Sequence, residues 1–219
     1  MSEQISYRSE IARKGIHLLS LLIPIIYLQI EADTGVAILA SMTLVSIVID
    51  VLMHYHAPTR SFMHAVVGPM LRPHELASEV FRLTGASWVL IAATLTFLMF
   101  PKVVSTTAFT VLIVSDTAAA LIGRRFGNKP FFDKTRMGTT FFIVSAVFVT
   151  LVYQQVFGES IWFVVSGVVA SIVCGIVEAA STRLRLDDNI SIPFSFAFVM
   201  LLMNWLGQAI FATTNFLRQ

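Results

Sequence analysis

The sequence predicts an all-α polytopic membrane protein with about seven transmembrane helices. Hydrophobic residues make up 56% of its 219 residues and charged residues only 13%, whereas a soluble domain carries about 25% charged residues. The mean hydropathy is +0.80, and apolar runs of the length needed to cross a bilayer recur along the chain. This composition excludes an ordinary water-soluble enzyme. It also excludes a disordered chain, which needs low hydrophobicity and high net charge.

Seven apolar runs are the candidate membrane spans. They lie at 15–30, 34–53, 86–100, 103–122, 138–157, 160–180 and 190–213. Pro24 and Pro193 fall inside such runs, where neighbouring helices can satisfy the carbonyls that a proline frees, so both predict a break or a kink. The first run could instead be a signal peptide, but no small-residue cleavage site follows it and acidic residues come next, which favours a membrane span.

The distribution of basic residues predicts a cytoplasmic N-terminus. When seven spans are drawn, 13 of the 15 lysines and arginines fall on one side of the membrane, and only Lys102 and Arg218 fall on the other. Lysine and arginine are enriched in cytoplasmic loops. The outer loops around 31–33 and 158–160 are short, so we expect any soluble substrate to be met from the cytoplasm.

The chain is predicted to form a single integral membrane domain over residues 1–219, because it shows no internal repeat or low-complexity tract. We expect it in the cell inner membrane of a prokaryote, or in the endoplasmic reticulum of a eukaryote. Its longest loop, 54–85, places Phe62, Val66 and Met70 at a spacing of four. This spacing is typical of a helix lying in the membrane interface, but a plain connector explains the loop equally well.

Three acidic residues fall inside the predicted spans: Asp50, Asp116 and Glu178. An ionised group in the hydrocarbon costs at least roughly 2.5 to 3.5 kcal/mol, so such groups usually serve a function or a specific partner. Each of the three lies toward the end of a span that runs from outside to inside. They therefore predict a polar site sunk into the cytoplasmic side of the membrane.

The densest group of polar residues is the segment 114–140. It places Asp116 beside the small residues 117–120, then Gly123 and Gly127, which allow a turn. Five basic residues belong to this turn and the segment after it: Arg124, Arg125, Lys129, Lys134 and Arg136. A carboxylate binds the metal and cations bind the phosphate oxygens of a magnesium-bound triphosphate. A cytoplasmic anchor loop would explain the basic residues, but it would not explain the intramembrane Asp116.

A second group of polar residues joins the last two spans. Glu178 lies near the end of one span, and Asp188 and Asn189 open the next. Helix capping alone could explain Asp188, because aspartate and asparagine cap helix N-termini well. Capping does not explain Glu178, because the helix dipole disfavours a negative charge at a C-terminus.

Taken together and in order, four segments resemble the polyprenol and lipid-alcohol kinases, a family that includes dolichol kinase, phytol kinase and the CTP-dependent diacylglycerol kinase. The segments are ARKGIHLLS (12–20), LRPHELASEVFRLTGASW (71–88), SDTAAALIGRRFGNKPFFDKTRMGT (115–139) and Glu178 with DNISIP (188–193). The central segment is also similar to the corresponding part of phosphatidate cytidylyltransferases, which use CTP as well. One position departs from the kinase pattern Lys-Ser/Thr-x-Glu-Gly, because Met137 stands in the glutamate position of KTRMG.

The resemblance implies an enzyme that transfers the terminal phosphate of CTP to the hydroxyl of a membrane lipid alcohol, assisted by Mg²⁺, at the cytoplasmic face. Such a transfer depends mainly on in-line positioning and on charge neutralisation. The implied partners are therefore the nucleotide triphosphate, the lipid alcohol and the bilayer. The net charge of +2 is too small to indicate a nucleic-acid partner, and no oligomeric state is predicted.

The resemblance also implies roles for individual residues. Asp116 is expected to be a metal ligand, and Glu178 either a second metal ligand or the base for the lipid hydroxyl. Lys14 and His17 lie one helical turn apart and could face the site, or could be a snorkelling lysine and an interface histidine. The remaining expected contacts to phosphates, metal or nucleotide are made by Arg124, Arg125, Lys134, Asp188 and Asn189.

Two other functions compete with the kinase interpretation. A phosphatidate cytidylyltransferase would let phosphatidate attack the α-phosphate of CTP at the same magnesium-bound site, but the chain is short for that family and the order of motifs favours the kinases. An ion-coupled transporter would be expected to carry acids near mid-membrane and an internal duplication, and the sequence has neither. A purely structural membrane protein would leave the three intramembrane acids unexplained.

Overall fold

The computed structural model describes residues 7–67, 81–184, 187–211 and 215–216. Within these ranges the chain is all-α, as predicted, apart from one short antiparallel hairpin. The elements are α1 (Tyr7–Leu19), α2 (Leu22–Gln29), α3 (Ala32–Tyr55), α4 (Ala57–Val67), α5 (Gly85–Met99), α6 (Lys102–Phe126), β1 (Pro130–Phe131), β2 (Lys134–Thr135), α7 (Arg136–Phe157), α8 (Ile161–Leu184) and α9 (Asp188–Phe211).

Five of the described helices are long and apolar enough to cross a membrane, which makes this a multi-pass membrane protein. They are α3, α6, α7, α8 and α9, and they match the predicted spans 34–53, 103–122, 138–157, 160–180 and 190–213. The apolar helix α5, at 15 residues, is shorter and matches the predicted span 86–100. The count of seven spans and the cytoplasmic N-terminus stay predictions.

The first predicted span, 15–30, consists of two helices rather than one. The helix breaks between α1 and α2, because Pro24 has no N–H to donate to the carbonyl oxygen of Ser20. The N–H of Ile23 donates to that oxygen instead, at 3.0 Å. Pro24 then lies in the first turn of α2, where a missing N–H costs little. Pro193, by contrast, leaves α9 continuous.

Lys102 ties the end of α2 to the start of α6. Its Nζ donates to the carbonyl oxygen of Ile30 at 2.8 Å and to that of Leu28 at 3.4 Å. The ammonium also lies 5.3 Å from the ring centre of Tyr27. The last carbonyls of a helix lack partners within the helix, so this lysine satisfies them with a charged donor.

The central helix of the fold is α6, the most buried of the five long helices. It packs against α7 and α9 and also contacts α1, α2 and α5. Two of its threonine hydroxyls find partners within the bundle, since Thr107 donates to the carbonyl of Val103 at 2.7 Å and Thr110 pairs with Tyr153 at 2.7 Å. A polar residue in a membrane helix is tolerated when it is bonded in this way.

Asp50 holds the start of α5. Its Oδ2 accepts hydrogen bonds from the backbone N–H of Thr84 at 2.9 Å and from the Thr84 hydroxyl at 3.2 Å. Thr84 in turn caps α5 by accepting from the N–H of Ser87. The buried carboxylate of Asp50 therefore has a structural partner at a helix N-terminus.

The first part of the predicted loop 54–85 is helical, because α3 continues to Tyr55 and α4 covers Ala57–Val67. Phe62 on α4 is exposed. The side chain of Val66 and all of Met70 lie outside the described residues. Positions 71–80, which begin the segment 71–88 that resembles the lipid-alcohol kinases, lie outside them as well. The helical part of this prediction is confirmed, and its placement in the membrane interface stays a prediction.

The predicted orientation can be tested with single cysteines. We expect a membrane-impermeant maleimide applied to intact cells to label Gln155→Cys, which is exposed near the C-terminal end of α7, and not Asn128→Cys, which is exposed beside the hairpin. The natural thiol of Cys174 is fully buried and should give no background. Both variants should label after permeabilisation, and the reverse pattern in intact cells would contradict the topology.

Candidate functional site

A short hairpin between α6 and α7 carries the basic segment back over the end of α6. Strands β1 and β2 pair antiparallel, with Phe131 opposite Lys134. The hairpin lies very close to α6, because a Cβ added to Gly127 would lie 2.3 Å from the carbonyl oxygen of Gly123 and 2.4 Å from the Thr135 hydroxyl. The two glycines were predicted to allow a turn, and Gly127 does so by permitting this close approach.

Thr135 ends the hairpin and begins α7. Its hydroxyl accepts a hydrogen bond from the N–H of Gly138 at 3.1 Å, which caps the helix. A Cβ added to Gly138 would lie 3.1 Å from the carbonyl oxygen of Ala119. The threonine and glycine of the KTRMG segment thus fix where the hairpin stops, and they fix the position of Lys134 just before it.

Asp133 fastens the hairpin to the end of α8. Its carboxylate accepts from the backbone N–H of Arg183 at 3.0 Å and from Arg183 Nε at 2.9 Å. Its own N–H donates to the carbonyl oxygen of Ala179 at 3.0 Å. Desolvation raises the pKa of Asp133, but the two hydrogen bonds and the charge of Arg183 together outweigh it and hold that pKa below its ordinary 3.8. The contact between Asp133 and Arg183 therefore stabilises the fold at pH values above the ordinary aspartate pKa. This stabilisation is lost as the pH falls through the lowered pKa of Asp133.

Asp116 is paired with two residues of α1. Its Oδ2 accepts a hydrogen bond from Lys14 Nζ, and His17 Nε2 lies 3.7 Å from the same oxygen. The Lys14 side chain is only 4% exposed, so this lysine does not snorkel to water. Of the two interpretations of Lys14 and His17, the structure favours the one in which both face Asp116.

Lys134 lies between two carboxylates from different helices. Its Nζ is 3.1 Å from Oε1 of Glu178 on α8 and 3.1 Å from Oδ2 of Asp188 on α9. The Glu178 side chain is only 2% exposed. Burial alone would lower the pKa of Lys134, but Glu178, Asp188 and Asp116 outweigh it and raise that pKa. The lysine is therefore charged at neutral pH, and it loses its charge only as the pH rises through its raised pKa.

These contacts form one polar cluster, which we call the acid–lysine cluster: Lys14, Asp116, Lys134, Glu178 and Asp188. No direct contact is described between the two halves, and the Asp116 carboxylate acts on Lys134 through its charge, which helps to raise the pKa of that lysine. Four helices and the hairpin supply its members. Oε2 of Glu178 and Oδ1 of Asp188 are buried without a hydrogen-bond partner, so the cluster retains acceptor capacity.

The other residues predicted for the site lie around this cluster. Arg124 and Arg125 are exposed in the last turn of α6, and the guanidinium of Arg125 lies 5.3 Å from the ring centre of Phe126. Arg124 is roughly 12 Å from Asp116 along the helix axis, at 1.5 Å per residue. Asn189 is bonded to Asp187 through its backbone N–H and its side-chain amide.

Asp133 and Arg183 form a pair that was not predicted from the sequence. They are separated by 50 residues, and Arg183 counted only as one of the basic residues of an inner loop. The signal that could have found Asp133 is its position, because it is the acid directly before Lys134 in an otherwise basic segment. An acid there needs a specific cation, and Arg183 at the end of α8 supplies one.

The carboxylates fit a metal that arrives together with phosphate. Among the residues that the structure describes, no group of three or more His, Cys, Asp or Glu side chains is placed to hold a metal ion. Magnesium that accompanies a nucleotide needs only one or two protein carboxylates, because phosphates and waters complete its coordination. The unpaired oxygens of Glu178 and Asp188 suit that role.

The apolar helices and the buried polar cluster define an all-α multi-pass membrane protein. The chain is 30% identical over 184 residues to the uncharacterized protein RP860 of Rickettsia prowazekii (strain Madrid E), an alignment that covers 84% of this chain and 89% of that protein. The chain belongs to the same family as that protein. No family model matches the chain, and no solved structure matches it.

The contact between Asp133 and Arg183 predicts how firmly the hairpin is held. We expect Asp133→Ala to speed trypsin cleavage after Lys134 and Arg136, because the hairpin then opens more often. Fragment masses followed over time in detergent would measure this. Asn128→Ala changes an exposed residue of the same segment and should leave the rate unchanged. Equal cleavage rates in all three proteins would show that the contact does not hold the hairpin.

Proposed function

We propose that the protein is a CTP-dependent kinase that phosphorylates the hydroxyl of a membrane lipid alcohol, such as a polyprenol, phytol or diacylglycerol, at the cytoplasmic face. The observation that carries the proposal is the acid–lysine cluster. It gathers three carboxylates and two ammonium groups among apolar helices, which is costly unless the charges have a use.

A purely structural role is the main alternative for such a cluster. Buried ion pairs often contribute little to stability, and apolar side chains of similar volume can replace them without loss. A structural network is also expected to satisfy its own polar atoms. Oε2 of Glu178 and Oδ1 of Asp188 lack partners, which favours a site that receives a ligand.

The residues suit phosphoryl transfer because this chemistry needs positioning and charge neutralisation rather than covalent catalysis. Lys14 and Lys134 would bind phosphate oxygens, and Arg124 and Arg125 would bind the outer part of the nucleotide. Mg²⁺, held by Asp116 and by Glu178 or Asp188, would neutralise charge on the transferred phosphoryl group. Glu178 could alternatively accept the proton of the lipid hydroxyl.

A lipid acceptor suits the surroundings of the cluster. Ile16 lies between Lys14 and His17 in sequence and is 41% exposed, and Ile176, two residues before Glu178, is 44% exposed. Apolar side chains on the outer surface of a membrane helix face the acyl chains. A lipid alcohol in the bilayer would therefore find apolar contacts within one helical turn of the charged groups.

The first test is phosphate transfer by the purified protein in detergent with Mg²⁺ and γ-labelled CTP. We expect label on a lipid alcohol, and we expect Asp116→Asn to lower kcat by at least about 100-fold, the usual loss when one stabilising group is removed from such a site. Asp50→Asn is the matched control, because it changes an acid whose partner is Thr84, and it should keep the activity.

Two outcomes would contradict this assignment. Full metal-dependent activity in Asp116→Asn would show that Asp116 is not a metal ligand. Label released as pyrophosphate, with phosphatidate as the acceptor, would identify a cytidylyltransferase instead, because that reaction breaks the bond at the α-phosphate of the same nucleotide.

Met137 offers a separate test of the hairpin. It lies in the first turn of α7 and is 41% exposed, so a glutamate fits there and is favoured by the helix dipole. We expect Met137→Glu to raise the rate of phosphate transfer, because it supplies the glutamate of the kinase pattern Lys-Ser/Thr-x-Glu-Gly. Met137→Gln has the same length as the glutamate variant without its charge and should not raise the rate. An unchanged rate in Met137→Glu would show that the position is dispensable.

A further inference from the structure

Lys134 is a counter-ion inside the proposed site. Its ammonium lies 3.1 Å from a carboxylate oxygen of Glu178 and 3.1 Å from one of Asp188. The two carboxylates come from the end of α8 and the start of α9, and the tip of the hairpin brings the lysine between them. A single positive charge therefore holds together two acids that would otherwise repel each other at low dielectric.

This arrangement disfavours a metal ion or a polyphosphate that arrives alone. A divalent cation bound by Glu178 and Asp188 would lie beside the Lys134 ammonium, and the two like charges would repel. A polyphosphate that bound Lys134 would lie beside the two carboxylates. When both arrive together, the metal takes the carboxylates and the phosphate takes the lysine, so that every charge keeps an opposite partner.

We propose that Lys134 holds the cation position between Glu178 and Asp188 in the free protein, and that a divalent cation bound to a polyphosphate displaces it onto the phosphate oxygens. Metal and polyphosphate then bind with positive coupling. The identity of the polyphosphate as CTP rests on the proposed function, whereas the exchange of counter-ions rests on the cluster alone. The two free oxygens, Oε2 of Glu178 and Oδ1 of Asp188, provide the first contacts for the incoming metal.

The exchange predicts opposite effects of one substitution on the two ligands. Lys134→Gln removes the positive charge but can still donate a hydrogen bond to Glu178. We expect this variant to bind Mn²⁺ alone at least about tenfold more tightly than the unchanged protein, a size typical of coupled sites. We expect it to bind magnesium-bound inorganic triphosphate at least about tenfold more weakly, because the phosphate loses its cation.

Mn²⁺ binding is measured on the full chain in detergent at pH 8 from the paramagnetic resonance signal of the free ion, and triphosphate binding by calorimetry with excess Mg²⁺. Asn128→Ala changes an exposed residue of the same segment without removing a charge and should behave as the unchanged protein. The double variant Lys134→Gln with Glu178→Gln should lose the added Mn²⁺ affinity. This loss would place the gain at the cluster.

The outcomes separate this inference from the proposed function. If Lys134→Gln binds Mn²⁺ no more tightly than the unchanged protein, the counter-ion role is overturned, even if lipid phosphorylation is observed. If that variant gains Mn²⁺ affinity while the unchanged protein phosphorylates no lipid, the counter-ion role stands and the kinase proposal fails. Equal affinity of the unchanged protein for triphosphate with and without Mg²⁺, measured by the same calorimetry, would overturn the coupling.

Discussion

The arrangement of this fold depends on one constraint: a charge placed among apolar helices needs an opposite charge in contact with it. Lys14 and Glu178 are almost fully buried, and each has such a partner. The partners lie far apart in sequence, since 102 residues separate Lys14 from Asp116. Their pairing therefore fixes α1 against α6 and holds the hairpin between α8 and α9. Removing one member costs more than the pair contributes, because it leaves an uncompensated charge.

The hairpin supplies the positive charge that Glu178 and Asp188 need. Among the described residues, both acids pair with Lys134 of the hairpin and with no residue of α8 or α9. Small residues bring it close to α6, a threonine cap ends it, and Asp133 fastens it to α8. Each of these contacts is local, and together they place Lys134 between Glu178 and Asp188. This agreement between local geometry and long-range charge pairing is what a sequence with one well-defined structure requires.

Hydropathy predicted the long helices well, because a bilayer leaves the backbone few alternatives to a helix. The predicted span 103–122, for example, lies within α6. The break before Pro24 was predicted only in general, since its position depends on which carbonyl finds another donor. Asp116, Lys134 and Glu178 were singled out from the sequence as site residues, and each of them has an ion-pair partner in the structure, but the pairing of Asp133 with Arg183 was missed. Composition carries no information about contacts between residues 50 positions apart.

The place of the cluster in the chain suits the two phases that the proposed reaction would join. The nucleotide would come from water and the lipid hydroxyl from the bilayer, so a shared site would have to lie where helices end and the hydrocarbon begins. Glu178 near the end of α8 and Asp188 at the start of α9 lie at helix ends together with the hairpin. At mid-membrane a triphosphate would have to shed its water entirely, and at the surface the hydroxyl would have to leave the lipid. The nearly buried Lys14 and the partly buried Lys134 would reduce both costs, because they would replace water around the phosphate while apolar side chains remain within reach of the acceptor.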